Sequence, residues 1–274
     1  MLEHSSAPNV TVGIDGSQSA LDAALWAVDE AIALRVPLQL VDVVEPADQL
    51  MIDPQDRSRG MTAAADAVRK AVSAVQATER PVTVQGEVLV GRPVQALLDA
   101  AHCATMLCVG ARGLKHATQG RIGSTAAALS AAARCPVVIV RAHRPHSNHS
   151  RTVVIEVEDS ANGGAVLQRG LEVARRRGAP VRVLTPARMH ADVQAHWQRR
   201  LAEWQRRFAD LDITSVNNQG DGLDYIRTHA DEIQLVVVGR ERRDGLGALV
   251  GAPGNAALRD TDCSIMVCDA RDAL

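Results

Sequence analysis

Short aliphatic runs alternate with longer segments of helical period along this chain, and that alternation predicts parallel βαβ units. In the first half, strands are predicted near Val10–Ile14, Leu38–Val43, Val82–Leu89, Met106–Val109 and Val137–Val140. Helices are predicted between them, near Ala20–Leu34, Thr62–Gln76, Val94–His102 and Ser124–Ala133. A strand buried on both faces reads as an unbroken apolar run, as Val137–Val140 does. Ser17 or Ser19 is placed to cap the first helix, because a hydroxyl there accepts from an orphan N–H.

The pattern then repeats. Thr152 to Ser160 has the shape of Val10 to Ser17 about 143 positions later. Met106-Leu107-Cys108-Val109-Gly110 matches Leu235-Val236-Val237-Val238-Gly239, and Arg134-Cys135-Pro136-Val137 matches Asp262-Cys263-Ser264-Ile265, at an offset of about 129. The second repeat has therefore lost roughly a dozen residues, expected opposite Pro46–Gly60. Residues 1–142 and 151–274 read as two tandem α/β repeats, joined by a polar, aperiodic linker over 143–150.

Composition narrows the function classes. Hydrophobic residues at 46% and charged residues at 23% are those of a globular chain and argue against disorder. With aromatics at 2%, aliphatic side chains must fill the core. A net charge of −2 offers no footprint for nucleic acid or an anionic membrane, and no apolar run reaches the length of a membrane span. The first residues lack the basic and hydrophobic regions of a secretory signal. Five cysteines without a Cys-x-x-Cys spacing fit buried thiols, so a cytoplasmic location is expected. Cys135 and Cys263 occupy equivalent positions, and structural burial is preferred to a redox pair.

The most informative segment is Gly110-Ala111-Arg112-Gly113, then nine residues, then Gly123-Ser124-Thr125. It follows a predicted strand and ends where a helix begins, the usual ligand position in a doubly wound sheet. Glycines let backbone N–H groups approach phosphate oxygens, and the helix start adds its unpaired N–H groups. There is no P-loop Gly-x-x-x-x-Gly-Lys-Ser/Thr, and Gly13-x-x-Gly16 has the wrong spacing for a dinucleotide fingerprint.

This spacing resembles the nucleotide loop of ATP-binding universal stress proteins. The resemblance extends to Asp15-Gly16-Ser17 after the first strand, Val90-Gly91-Arg92-Pro93 after the third and Cys135-Pro136 before the last, and it spans both halves. It implies a five-stranded, mostly parallel sheet in each repeat, in the order 3-2-1-4-5 and flanked by helices. Its last strands would be available for pairing, so an intrachain pseudo-dimer or a homodimer is expected. It also implies ATP as the ligand, with Asp15, Gly16 and Ser17 near ribose and phosphates. Val43 would present its backbone to adenine, and Gly110, Gly113, Gly123, Ser124 and Thr125 would surround ribose and phosphates. Mg²⁺ at Asp15 is left open, since that ion leans on phosphates and leaves little sequence trace. Asp42 stands where the family usually has histidine, a departure that leaves the Val43 backbone available.

The second repeat departs further. Arg242 stands at the second glycine position, Gly251 arrives one residue early, and Ala252 replaces the serine. Glu158 takes the Asp15 position, and Pro186, which lacks an N–H, falls near Val43. No ATP is expected there. Arg112, Lys115 and Arg121 read as phosphate partners or solvated loop residues, and His143, His146 and His149 as a solvated linker. Trp197, Leu201, Trp204, Phe208 and Leu211, flanked by Arg199, Arg200, Arg206 and Arg207, read as a core-facing helix.

With no catalytic group beyond Asp15, a nucleotide-dependent regulatory protein with one site is expected rather than an enzyme. Ordering of Pro46–Gly60 or of the Gly110–Gly123 loop would alter a docking surface for an unidentified protein. Weak hydrolysis, adenylyl transfer and an ATP-independent scaffold are the competing readings.

Overall fold

A computed structural model describes residues 7–45, 54–113, 122–143, 151–158, 163–186, 191–218, 222–242, 245–258 and 261–269. The chain divides into two compact units, Met1–His143 and Arg144–Leu274.

In the first unit the elements run β1 (Asn9–Ile14), α1 (Gln18–Leu34), β2 (Leu38–Val44), α2 (Pro54–Gln76) and β3 (Val84–Val90). They continue as α3 (Pro93–Ala100), β4 (Ala104–Gly110), α4 (Ser124–Ala132) and β5 (Val137–Val140). The strands are parallel, in the order β3-β2-β1-β4-β5. Parallel strands carry helices on their faces, so the central ones are largely apolar. Val10, Val12, Leu107, Cys108 and all four residues of β5 are fully buried. The buried face of α1 includes Ala20, Ala23, Ala24, Ala27, Val28 and Ala31, a helical period of small residues that lets the helix lie close to the sheet.

The expected α2 starts at Thr62, whereas the helix begins at Pro54. Its opening residues, Pro54-Gln55-Asp56-Arg57-Ser58-Arg59-Gly60, carry no apolar period, so hydropathy gives no sign of them. Residues 54–60 of the expected switch segment are thus helical, and 46–53 lie outside the described residues.

The second unit repeats this plan with β6 (Thr152–Glu156), α5 (Gly163–Arg177), β7 (Val181–Pro186), α6 (Ala191–Arg207) and β8 (Ile213–Asn218). There follow α7 (Gly222–Thr228), β9 (Ile233–Gly239), two short helices α8 (Leu246–Val250) and α9 (Ala252–Ala257), and β10 (Ser264–Cys268). Strand order is β8-β7-β6-β9-β10, again parallel. The deletion falls between the second and third strands of the repeat, where α6 has 17 residues against 23 in α2. The five cysteines are free thiols, and only Cys103 is exposed. Among the described residues no helix is long and apolar enough to cross a membrane.

In each unit the first strand lies between the second and the fourth. Chain order therefore reverses direction there, and the loops leaving the carboxyl ends of the first and fourth strands part to leave a crevice.

Candidate functional site

In the first unit this crevice is built by a short turn and a glycine loop that hold each other. The chain leaves β1 at Ile14, and Asp15 accepts the Ser17 N–H on Oδ1 (3.0 Å), which tightens the turn. Gly16 sits at φ 81°, a conformation that a side chain disfavours. Ser17, not Ser19, caps α1, accepting the Ala20 N–H (3.1 Å).

Both hydroxyls then reach across to the loop after β4. Ser17 Oγ donates to the Arg112 carbonyl (3.2 Å). Ser19 Oγ accepts the Arg112 N–H (3.3 Å) and donates to the Val140 carbonyl (3.3 Å). The Val140 carbonyl also takes the Ala111 N–H (2.7 Å). This close approach requires glycine at 110, where a Cβ would fall 2.6 Å from the Ser19 carbonyl carbon and 2.7 Å from the Ala20 nitrogen.

The structure thus brings Asp15, Ser17, Gly110 and Gly113 together. A Cβ at Gly113 would lie 2.8 Å from Asp15 Oδ2, so the loop backbone faces that carboxylate across a space only hydrogen leaves open. Residues 114–121, including Lys115 and Arg121, lie outside the described residues. The chain re-enters at buried Ile122, and the Gly123 N–H returns to the Ala111 carbonyl (2.9 Å). Gly123 is the N-cap of α4 and supplies no side-chain cap. Ser124 is exposed and Thr125 half-buried on its first turn.

Val43 lies half-buried at the end of β2, in register with Leu89 and one position beyond Asp42, which pairs with Ile14 of β1. Its neighbour Asp42 is 8% exposed. Burial pushes the Asp42 carboxyl up to about 6; a backbone hydrogen bond at Val43 opposes the rise, and the charge of Asp15 adds to it. From sequence, Asp42 is a departure that leaves the Val43 backbone available, and Ser19 is only an alternative cap. An isolated acid in the apolar run Leu38–Val44 was the available signal for Asp42.

The crevice of the second unit is closed by its own side chains. Ile155 pairs with Val237 as Val12 pairs with Cys108, so Glu156 occupies the place of Gly13 and Arg242 that of Gly113. Arg242 Nε donates to Glu156 Oε2 (2.8 Å), with side chains 1% and 14% exposed. Beside them Arg240 pairs with Asp269 (2.9 Å). Two glycine positions have become the two halves of a buried ion pair. The remaining void, lined also by Glu158, Gly163 and Gly239, is about 20 Å³, room for about one water. Arg242 was recognised as a lost glycine, but Glu156 was missed. The available signal was that both departures from glycine carry charge, and of opposite sign.

Comparison with known families matches the universal stress protein family over residues 7–141 and again over 149–269. The chain is 41% identical over 266 residues to universal stress protein Rv2028c of Mycobacterium tuberculosis, covering 95% of each chain. It is 37% identical over 240 residues to Rv3134c of the same organism, covering 83% of this chain and 87% of the relative. Among solved structures, a universal stress protein from Archaeoglobus fulgidus superposes with a TM-score of 0.72 at 14% identity, over 98% of each chain. That last similarity bears on the fold alone.

Two outcomes follow from these charges. The Asp42 carboxyl ionises near pH 4 when unfolded and near 6 when folded, so folding loses stability as pH rises through that window, then stays lower. Asp42→Asn is expected to stabilise by roughly 1–2 kcal/mol at pH 7.5, the shift being discounted for solvent screening, and by little at pH 4, read from urea unfolding at both values. An equal effect at the two pH values would contradict the assignment. For the second crevice, Glu156→Gln and Arg242→Met are each expected to destabilise by about 3–5 kcal/mol. The double variant should lose much less than the sum, and a coupling energy near zero in that cycle would mean that the pair does not act as a unit.

Proposed function

Because this chain belongs to the universal stress protein family, we propose that it is an ATP-binding regulatory protein with one nucleotide site, in the first repeat. The observation that carries this reading is the space between Gly113 and Asp15, which a single Cβ would fill, beside a helix start without a side-chain cap. Backbone N–H groups of the Gly110–Gly113 loop and of the first turn of α4 suit phosphate oxygens, which need donors and no steric obstruction. Ser124 and Thr125 add hydroxyls. Asp15 suits ribose hydroxyls or a Mg²⁺ shared with the phosphates. The Val43 backbone is offered to the adenine edge, with Gly16 and Ser17 shaping the turn beneath.

The second repeat is read as nucleotide-free, since Arg242 and Glu156 fill the corresponding space. Nucleotide joins the β1–α1 turn, the β4 loop and α4, three segments that hydrogen bonds already relay to one another. Binding then biases the surface around the loop, which is the switch proposed for an unidentified protein partner. Free thiols fit a reducing cytoplasm. Turnover requires a positioned base and phosphate stabilisers, and Asp15 is the one candidate base recognised, so binding rather than catalysis is the proposed activity.

Calorimetry with ATP should give about one site per chain. Gly113→Val should weaken that site strongly while the protein stays folded, because the first obstruction it meets is the far end of the Asp15 side chain. Two equivalent sites, or parental affinity in Gly113→Val, would overturn the assignment. Turnover of bound ATP should fall well below the roughly 10 s⁻¹ typical of enzymes. Asp15→Asn should lower affinity with little change in the rate per bound ATP. Unchanged affinity with loss of brisk turnover would make the protein an enzyme instead.

A further inference from the structure

Trp197-Gln198-Arg199-Arg200-Leu201-Ala202-Glu203 is followed at once by Trp204-Gln205-Arg206-Arg207-Phe208-Ala209-Asp210, a duplicated heptad that keeps residue type at every position. It fills the second half of α6 and the turn that follows. Three of the chain's five aromatic residues are in it, and α2, the equivalent helix of the first unit, has none.

The structure divides the repeat into an inner and an outer face. Trp197, Leu201 and Phe208 are buried and Trp204 is half-buried, so the apolar rows face inward. Core packing needs no more than these rows. One row of arginines is taken up by them, Arg200 lying 5.3 Å over the Trp197 ring and Arg207 5.1 Å over Trp204. The other row, Arg199 and Arg206, is exposed on the opposite side of the helix, with exposed Ala202 and Ala209 on one flank and Glu203 and Asp210 on the other. Seven residues are nearly two helical turns, so each row recurs about every 10.5 Å. Within the two heptads four arginines stand against two carboxylates, although the whole chain carries −2.

We propose that the outer face of α6 docks an acidic helix of a partner protein, with carboxylates recurring every seven residues to meet Arg199 and Arg206. A second helix is the ligand whose side chains share this period, and the alanine row lets its backbone come close. Guanidinium groups pair with carboxylates in two-pronged geometry, which rewards correct register. A nucleic-acid strand fits less well, because Glu203 and Asp210 run between the two arginine rows and repel a continuous line of phosphates. Two copies of this face fit poorly together as well, since each carries four arginines against two carboxylates.

The test is fluorescence anisotropy on the full chain with a labelled, alanine-based helical peptide of about three heptads. Its glutamates lie on one face at seven-residue intervals, and a peptide of identical composition with scrambled glutamates is the control. The in-register peptide is expected to bind at least about tenfold more tightly than the scrambled one. That preference should vanish in the Arg199→Glu/Arg206→Glu variant, whose exposed substitutions should leave the protein folded, as circular dichroism checks. It should return when the variant meets a peptide with lysine in place of glutamate. Equal binding of the two acidic peptides, unaltered binding by the variant, or tighter binding of a single-stranded oligonucleotide would each overturn the proposal.

Discussion

Everything at the candidate site depends on how closely the loop after β4 can approach the start of α1. A Cβ at Gly110 would strike the Ser19 backbone, and backbone cannot step aside as a side chain can. Glycine there lets Ser17 and Ser19 reach the Arg112 backbone, which in turn sets Gly113 against Asp15. A few side-chain-to-backbone hydrogen bonds, each worth about 1 kcal/mol net, thereby hold two loops that belong to different βα units. The sheet supplies the frame, because parallel strand order brings the ends of β1 and β4 together.

The two repeats show what happens when that approach is no longer required. In the second, charge occupies the positions of Gly13 and Gly113, and the opposite signs satisfy each other. A buried arginine alone would be severely destabilising, and so would a buried glutamate alone. The pair is tolerated because its members face each other at 2.8 Å. The same fold thus sets a glycine loop against Asp15 in one repeat and an internal ion pair in the corresponding place of the other. Asp42 shows the opposite arrangement in the first repeat. Its carboxyl is buried near a like charge, and its pKa rises toward neutrality instead of being compensated.

The fold was largely legible in the residues alone. Alternation of apolar runs with helical periods marked the strands, and self-similarity marked the two repeats, because burial on both faces of a parallel sheet forces these patterns into the residues. Resemblance supplied the strand order, and the β3-β2-β1-β4-β5 and β8-β7-β6-β9-β10 sheets agree with it. The early start of α2 was not legible, since Pro54–Gly60 is polar all round and helical period can be read only where one face is buried. The glycine spacing singled out the loop after β4, but not what the loop touches.

By itself, the sequence determined most of the strands and helices, where the chain repeats, and where a glycine loop follows a strand. Those properties are local, written in period, propensity and glycine spacing. Tertiary structure alone decided that Ser19 secures the loop, that Asp42 is buried beside the charge of Asp15, and that Glu156 meets Arg242 across 86 residues of chain. Each of these depends on distance between groups far apart in sequence, and burial and electrostatic interaction follow from proximity in space.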